Sequence, residues 1–224
     1  MLSVVIPTGI EPENSFIVQT LKTLALFPEI EVVLVEKGEA NSRAQRLNIG
    51  FSRTRGSMIL FHHPRSVLEP EGLRHLVRSS TMRVWGAFSH EFDHFHPWLH
   101  WTSWYSNNIR GRMNGIFYLD HCIFFHRDLW QGDIPAVDIF EDTLLSTSLR
   151  AHSRPVLLPY RSRTSAVRFL NNGIYLQSFM NQVLKLGYHM GVSHEVMNRI
   201  YEKGLGLNST YTPRSGRQKK KRQT

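Results

Sequence analysis

Leu2–Pro7 (LSVVIP) is an unbroken, β-branched apolar run, the pattern of a strand buried on both faces of an open sheet. Pro7 ends it. Phe16, Ile17, Leu21, Leu24 and Phe27 then recur at helical spacing, and Pro28 closes that stretch. Residues 31–35 (EVVLV) predict a second buried strand. Over residues 41–53, Ala44, Leu47 and Phe51 mark the inward face of a basic helix capped by Asn41 or Ser42. Gly56 stops that helix, and residues 57–61 (SMILF) predict a third strand. Strand, helix, strand, helix, strand at this pitch argues an α/β domain with a mostly parallel sheet and right-handed crossovers. Residues 3–6 are expected in the centre, between 31–35 and 57–61. Ligands of such sheets bind beyond the carboxyl ends of the strands, which places the expected site before any motif is consulted.

The second half is more mixed. Pro70 opens a short helix, residues 84–88 suit a strand, and 97–109 form an aromatic-rich helix or loop. Residues 116–118 and 122–125 are strand-like, Glu141–Arg150 is helical, and 155–159 (PVLLP) suit a last short strand. From 167 to 201 the pattern predicts two helices divided near Gly191, with Ser193 capping the second. Residues 1–205 are therefore expected to form one domain, its helical C-terminal part covering about 167–203, followed by a basic tail over 206–224.

Composition sharpens this in two places. The single cysteine, Cys122, excludes an internal disulfide framework and any CxxC site, and in its apolar segment it is expected to be a small buried hydrophobe. No signal peptide is visible, and no apolar run approaches the roughly 18 residues of a spanning helix. The net charge is +9, but residues 213–224 carry six basic side chains and no acid. A second imbalance lies between Thr143 and His194, with five arginines, one lysine and no carboxylate. The tail is either a solvated end or an attractor for polyanions, meaning an anionic membrane face or nucleic acid. No nucleic-acid reading module is recognisable, so nucleic acid ranks last.

Several segments together carry a family likeness: MLSVVIPT, EVVLVE, SRAQRLNIGFSRTRGSMILFHH, WGAFSHEFD, SNNIRGRMNGIFYLDHCIFFHRDLW and FEDTLLSTSLR. In this order and spacing, up to about Tyr201, the chain resembles a small bacterial subgroup of the family-2 glycosyltransferases. The resemblance implies a GT-A fold, a nucleoside diphosphate sugar donor, and a glycan or lipid-linked acceptor. It implies Asp142 as general base, with Glu141 beside it. Acids at a helix start are also ordinary N-terminal residues, stabilised there by the helix dipole. Asp120 and Trp104 fall on the acceptor side, although a turn aspartate needs no ligand. Pro7, Thr8, Glu36, Arg43, Asn48, His63 and Arg65 fall at nucleotide-sugar positions. A guanidinium suits diphosphate, and an exposed helix arginine is the competing account of Arg43.

The chain departs from that pattern twice. Glu36 stands near the position of the relatives' aspartate, and only residues 37–40 separate it from the basic helix, so a smaller or rebuilt base pocket is expected. At the end of 57–61 the relatives hold Mg²⁺ or Mn²⁺ with an acidic DXD-type motif. Here the chain runs Phe61-His62-His63-Pro64-Arg65-Ser66, with no carboxylate until Glu69. These cations prefer oxygen, so the family's metal is not expected in its usual form. His62 and His63 are the candidate replacement ligands, and Arg65 a candidate positive charge in the metal's place. His90, Glu91, Asp93, His94 and His96 fit no zinc pattern and are expected in a surface loop. Trp98, Trp101 and Tyr105 sit at core-facing helical spacing, leaving Trp104 as the exposed exception. The sequence thus supports a glycosyltransferase of inverting type, cytoplasmic or peripheral at the inner membrane face. A non-catalytic GT-A relative acting as a binding protein is the alternative.

Overall fold

Alternate residues of the first strand enter two different cores. In the computed structural model, which describes residues 1–8, 15–130, 132–137 and 139–203, β1 (Leu2–Pro7) is wholly buried. Leu2, Val4 and Ile6 pack on one side of the sheet with Leu24, Phe27, Leu73 and Leu76. Val5 packs on the other with Ala44, Leu47, Leu145 and Leu149. The third strand divides the same way, Met58 and Leu60 against Ile59 and Phe61. This is the two-faced burial that an uninterrupted apolar run predicts.

The first unit, Met1–Ser165, follows the order β1, α1 (Ser15–Leu24), β2 (Ile30–Val35), α2 (Arg43–Arg53), β3 (Met58–Phe61), β4 (Ser66–Leu68) and α3 (Pro70–Arg78). It continues through β5 (Trp85–Phe92), α4 (Pro97–Tyr105), β6 (Ile123–His126), α5 (Glu141–Arg150) and β7 (Val156–Thr164). One seven-stranded sheet runs β2-β1-β3-β6-β5-β7-β4. β1 pairs in parallel with both β2 and β3, and so lies between them as expected. Beyond β3 the sheet becomes mixed: β6 is antiparallel to β3 and β5, β7 is parallel to β5, and β4 is antiparallel to β7. This is an α/β arrangement in which a parallel half of the sheet is continued by a mixed half.

Local chemistry explains the boundaries. Ser42 caps α2, its hydroxyl accepting from the Gln45 N–H while the Gln45 side chain returns to the Ser42 N–H. Gly50 allows α2 to approach the sheet, since a Cβ there would fall 2.2 Å from Val5 Cγ1. Three expectations are corrected. Residues 116–118 form no strand; the last strand runs on from 159 to Thr164; and residues 66–68 form an unforeseen strand. In the latter two cases pairing between β4 and β7, with Ser66 opposite Thr164, supplies what local pattern lacked.

The second unit begins at Ala166 and holds α6 (Val167–Asn172), α7 (Ile174–His189) and α8 (His194–Lys203). Three helices replace the two expected, because Gly173 takes a left-handed φ of +87° and breaks the first. Ser193 accepts from the Val196 N–H at the start of α8, the capping role expected of it. Among the described residues no helix is long and apolar enough to cross a membrane. The basic run from Arg214 lies outside the described residues.

Candidate functional site

The carboxyl ends of β1 and β2 meet at Pro7 and Val35, which are in register. Thr8 fastens them, its N–H and hydroxyl donating to the Val35 carbonyl at 2.9 and 3.1 Å. Glu36 follows, its N–H bonded to the Glu39 carboxylate in a tight turn over Lys37–Glu39. That turn and the first turns of α2 bound an open cleft of about 480 Å³, lined by Gly38, Glu39, Ala40, Asn41, Gln45, Asn48 and Ile49. Its volume falls in the range of small-molecule sites. Of the residues chosen from sequence for the nucleotide, only Asn48 lines it. The Asn48 amide is also engaged on both sides by the Ile134 backbone, at 2.8 and 3.0 Å, and so holds the loop before α5.

Arg43, the first residue of α2, brings a second group together. Its Nε donates to Glu141 Oε1, and its Nη2 lies 4.0 Å from Asp142 Oδ2. Glu141 and Asp142 open α5. The residue before them, Phe140, adopts a left-handed conformation (φ 66°), rare for an aromatic side chain and a form of strain that collects at functional sites. Asp142 accepts from the Leu119 N–H at 3.0 Å and the Thr143 N–H at 2.8 Å. Burial and the adjoining Glu141 carboxylate raise its pKa, Arg43 and the Leu119 N–H lower it, and the net effect pushes it up to about 7. The same two carboxylates hold the Arg43 guanidinium above its ordinary pKa, against its burial.

Asp120 directly follows Leu119, the backbone partner of Asp142, and its surroundings are of opposite kind. Its side chain is 30% exposed, with His90 Nε2 at 3.6 Å and His121 Nε2 at 4.0 Å. Burial works against its charge, but His90, His121, Arg110 and His63 outweigh it and hold the carboxyl well below the usual range. Its backbone carbonyl accepts from three hydroxyls: Ser162 at 2.6 Å, Thr164 at 3.2 Å and Ser66 at 3.4 Å. His121 is wholly buried, and burial pushes it down to about 3, so it is neutral at pH 7. Its Nδ1–H then donates to the Phe88 carbonyl at 3.1 Å, leaving Nε2 to accept from Ser106 Oγ at 2.7 Å and Arg110 Nη2 at 3.0 Å. The Arg110 guanidinium lies 3.5 Å over the Tyr118 ring, whose phenol burial pushes up to about 12.

The structure thus gathers Arg43, Glu141, Asp142 and Asp120, with His63 close enough to act on Asp120 electrostatically. His90, Arg110 and His121 were missed from sequence. His90 is the clearest correction: it is buried in β5 rather than on a surface loop, while Asp93 and His94 are exposed as expected. Phe88, His90 and Phe92 alternate along the strand, a period-two pattern that marks a continuing strand. Cys122 is buried as expected, but in a left-handed turn (φ 54°) just ahead of β6, accepting from the His63 N–H at 3.5 Å. Its thiol is pushed up to about 11 by burial. Trp98, Trp101 and Tyr105 are exposed rather than packed in the core, and Trp104 is exposed as expected.

Where the sequence resemblance implies a divalent cation, the described residues offer imidazoles and a guanidinium rather than carboxylates. At the end of β3, His62 is almost wholly buried with neither ring nitrogen hydrogen-bonded, and burial pushes it down to about 4. His63 accepts from the Arg65 N–H at 3.3 Å. Arg65 is half-buried in the turn between β3 and β4. Among the described residues no group of three or more His, Cys, Asp and Glu is disposed to hold a metal ion.

Comparison with known proteins places this geometry in its class. No family model and no curated protein sequence matches the chain. Solved structures do: S. aureus TarS residues 1–349 shares 14% identity at a TM-score of 0.52, over 94% of this chain and 72% of that one. The longer TarS structure shares 15% at 0.55, over 94% of this chain and 44% of its own length. The mannosyltransferase PcManGT from Pyrobaculum calidifontis, in complex with GDP-Man and Mn²⁺, shares 17% at 0.52, over 74% and 56%. The chain therefore spans about half the length of the latter two. At such identities the likeness establishes the fold, that of the GT-A glycosyltransferases, and no more.

Proposed function

We propose that this chain is a GT-A glycosyltransferase that moves a sugar from a nucleoside diphosphate donor to a glycan or lipid-linked acceptor with inversion, Asp142 acting as general base. One observation carries the reading: two carboxyls in one site stand in opposed surroundings, Asp142 buried beside Glu141, which raises its pKa, and Asp120 among His90, His121 and Arg110, which lower its own. A base titrating near the working pH is the most effective, and such a split assigns roles to each group. Asp142 takes the proton of the acceptor hydroxyl. Asp120, permanently ionised, accepts a hydrogen bond that orients the acceptor. Arg43 holds Glu141 and Asp142 at the strand ends and offers its exposed part to diphosphate. The cleft beside the Lys37–Glu39 turn, with Asn48 in its lining, is the place for the base, and Pro7, Thr8 and Glu36 are assigned to the donor at the neighbouring strand ends.

Since the donors at the end of β3 do not suit Mg²⁺ or Mn²⁺, no step is assigned to a metal; Arg65 and His63 are the groups offered to the diphosphate. That same lack favours a second reading, a non-catalytic relative that keeps the binding cleft. A peripheral position at the inner membrane face completes the proposal. It is supported by α7, which buries Gln177 and Ser178 but exposes Phe179, Leu186 and Met190, within the acid-free stretch from Thr143 to His194. Isothermal titration with nucleoside diphosphates and their sugars, paired with a transfer assay, tests the reading. Binding with turnover supports transfer, binding without turnover supports the second reading, and no binding by any nucleotide rejects both.

A further inference from the structure

We propose that the outer face of α4 is a lipid-contacting ledge by which the first unit seats itself on an anionic phospholipid surface. α4 is inverted relative to an ordinary surface helix, which hides its apolar face. It buries Leu99 and Ser103, and Ser106 just beyond, while Trp98, Trp101, Trp104 and Tyr105 are 38%, 49%, 50% and 40% exposed. Phe95 and Met113 extend the apolar surface at the two ends of the segment, both largely exposed. Exposed apolar residues scattered singly need no explanation, but a row of this size marks an interaction surface.

The candidate site fixes this orientation. Ser103 meets His90 Nδ1 at 3.1 Å, Asn107 clasps the His90 backbone at 2.8 and 2.9 Å, and Ser106 and Arg110 meet His121. Turning the aromatics inward would break all of these. The inner face of the helix therefore serves the Asp120 cage, and the outer face is left to a partner.

Three observations favour lipid over a glycan. A sugar ring stacks on an open aromatic face, but Trp98, Trp101 and Tyr105 stack on one another, with centroids 5.1 and 5.7 Å apart, so that part of their faces is already covered. A glycan also needs free hydrogen-bonding groups. Two of the polar side chains here are turned back on the chain: Thr102 donates to the Trp98 carbonyl at 2.8 Å and Asn108 to the Trp104 carbonyl at 2.9 Å. Finally, no carboxylate occurs from His94 to Leu119, while Arg112 is exposed, a charge pattern complementary to anionic headgroups. Tryptophan and tyrosine favour the membrane–water boundary.

The inference deepens the membrane-side part of the proposed function and rests on it only for its biological sense. Its test contains no donor or acceptor, so it and sugar transfer can fail separately. The full chain is floated with vesicles of phosphatidylglycerol and phosphatidylcholine in equal parts, and with phosphatidylcholine alone. Tryptophan fluorescence is followed with brominated lipid as quencher; Trp85 and Trp130 are buried, so quenching reports the α4 residues. Salt-sensitive binding to the anionic vesicles with quenching is expected. The combined variant Trp98→Ser, Trp101→Ser, Trp104→Ser should weaken partition by about tenfold or more. Circular dichroism controls its folding, and Trp104→Phe should retain binding. Truncation after Thr212 removes tail charges that can add to partition, but should leave flotation with anionic vesicles and the tryptophan quenching in place. Absent flotation at low salt overturns the proposal, as does binding indifferent to the tryptophan variant but lost with Phe179→Ser or the truncation. So does quenching by soluble oligosaccharides without vesicle binding, or a concentration-dependent dimer that the variant dissolves.

Discussion

Replacing Arg43 by methionine removes a cation that faces both carboxylates at the start of α5. The guanidinium Nη2 lies 4.0 Å from Asp142 Oδ2, and its side chain is 36% exposed against 1% for Glu141. Unit charges at that distance interact by about 4 kcal/mol at an effective dielectric near 20, and solvent at the exposed part of Arg43 reduces this. An opposite charge at such range typically shifts a carboxyl by about 1–3 pH units. Asp142 starts at about 7. Losing Arg43 therefore carries it to on the order of 8–10. Glu141, still beside it and now unpaired, works in the same direction, and the two titrate as a pair. At pH 7 the ionised fraction falls from about half to roughly a tenth or less. The assay is the pH profile of kcat/KM, whose acid limb reports the base of the free enzyme, together with a carbon-13 carboxyl titration that needs no turnover. Arg43→Lys restores a charge and should bring the midpoint back part of the way. Lower activity alone proves nothing, since Arg43 is also the group proposed to meet the diphosphate. An acid limb and carboxyl midpoint that stay put, or move to lower pH, would refute the electrostatic account of Asp142.

Asp142→Asn should lower kcat by about 10²–10⁴-fold, and an effect well under tenfold would count against a general base. It should also change stability with a definite sign. The folded pKa of about 7 exceeds the ordinary 3.8, so the folded chain holds a proton that the unfolded chain releases, and stability is lost as pH rises from about 4 to 7. The Tm of the asparagine variant relative to the parent should accordingly be higher at pH 8 than at pH 5; the opposite order in a thermal melt rejects the raised pKa. Nucleotide affinity measured by calorimetry should change little on adding Mg²⁺ or Mn²⁺, and a strong metal requirement abolished by His62→Ala or His63→Ala would show that imidazoles replace the missing carboxylates. Gly50→Ala should cost about 1–3 kcal/mol in urea unfolding, because the new methyl meets Val5 beneath α2; an unchanged midpoint would mean that α2 can lift without penalty.

The parallel half of the fold was legible in the chain itself. Leu2–Pro7, EVVLV and SMILF are short apolar runs between helix-period segments, and burial on two faces leaves such runs few other places in an α/β sheet. The helix start at Glu141 and Asp142 was legible for the same local reason, and so was the lack of carboxylates after β3. What sequence could not supply was each residue's partner. Asp120, Asp142 and Arg43 come from three separated segments, and Asp142 reaches about 7 only because folding buries it beside Glu141 while placing Arg43 at 4.0 Å. His90 reads as part of a polar, histidine-rich stretch until β7 pairs with β5 through Thr164 and draws it into the sheet. The α4 aromatics show the limit most plainly: their spacing is equally that of a core stripe. Only the folded chain sets Ser103 against buried His90 and Ser106 against buried His121, so that the serine side of the helix lies inward with its polar groups paired and the tryptophans remain outside.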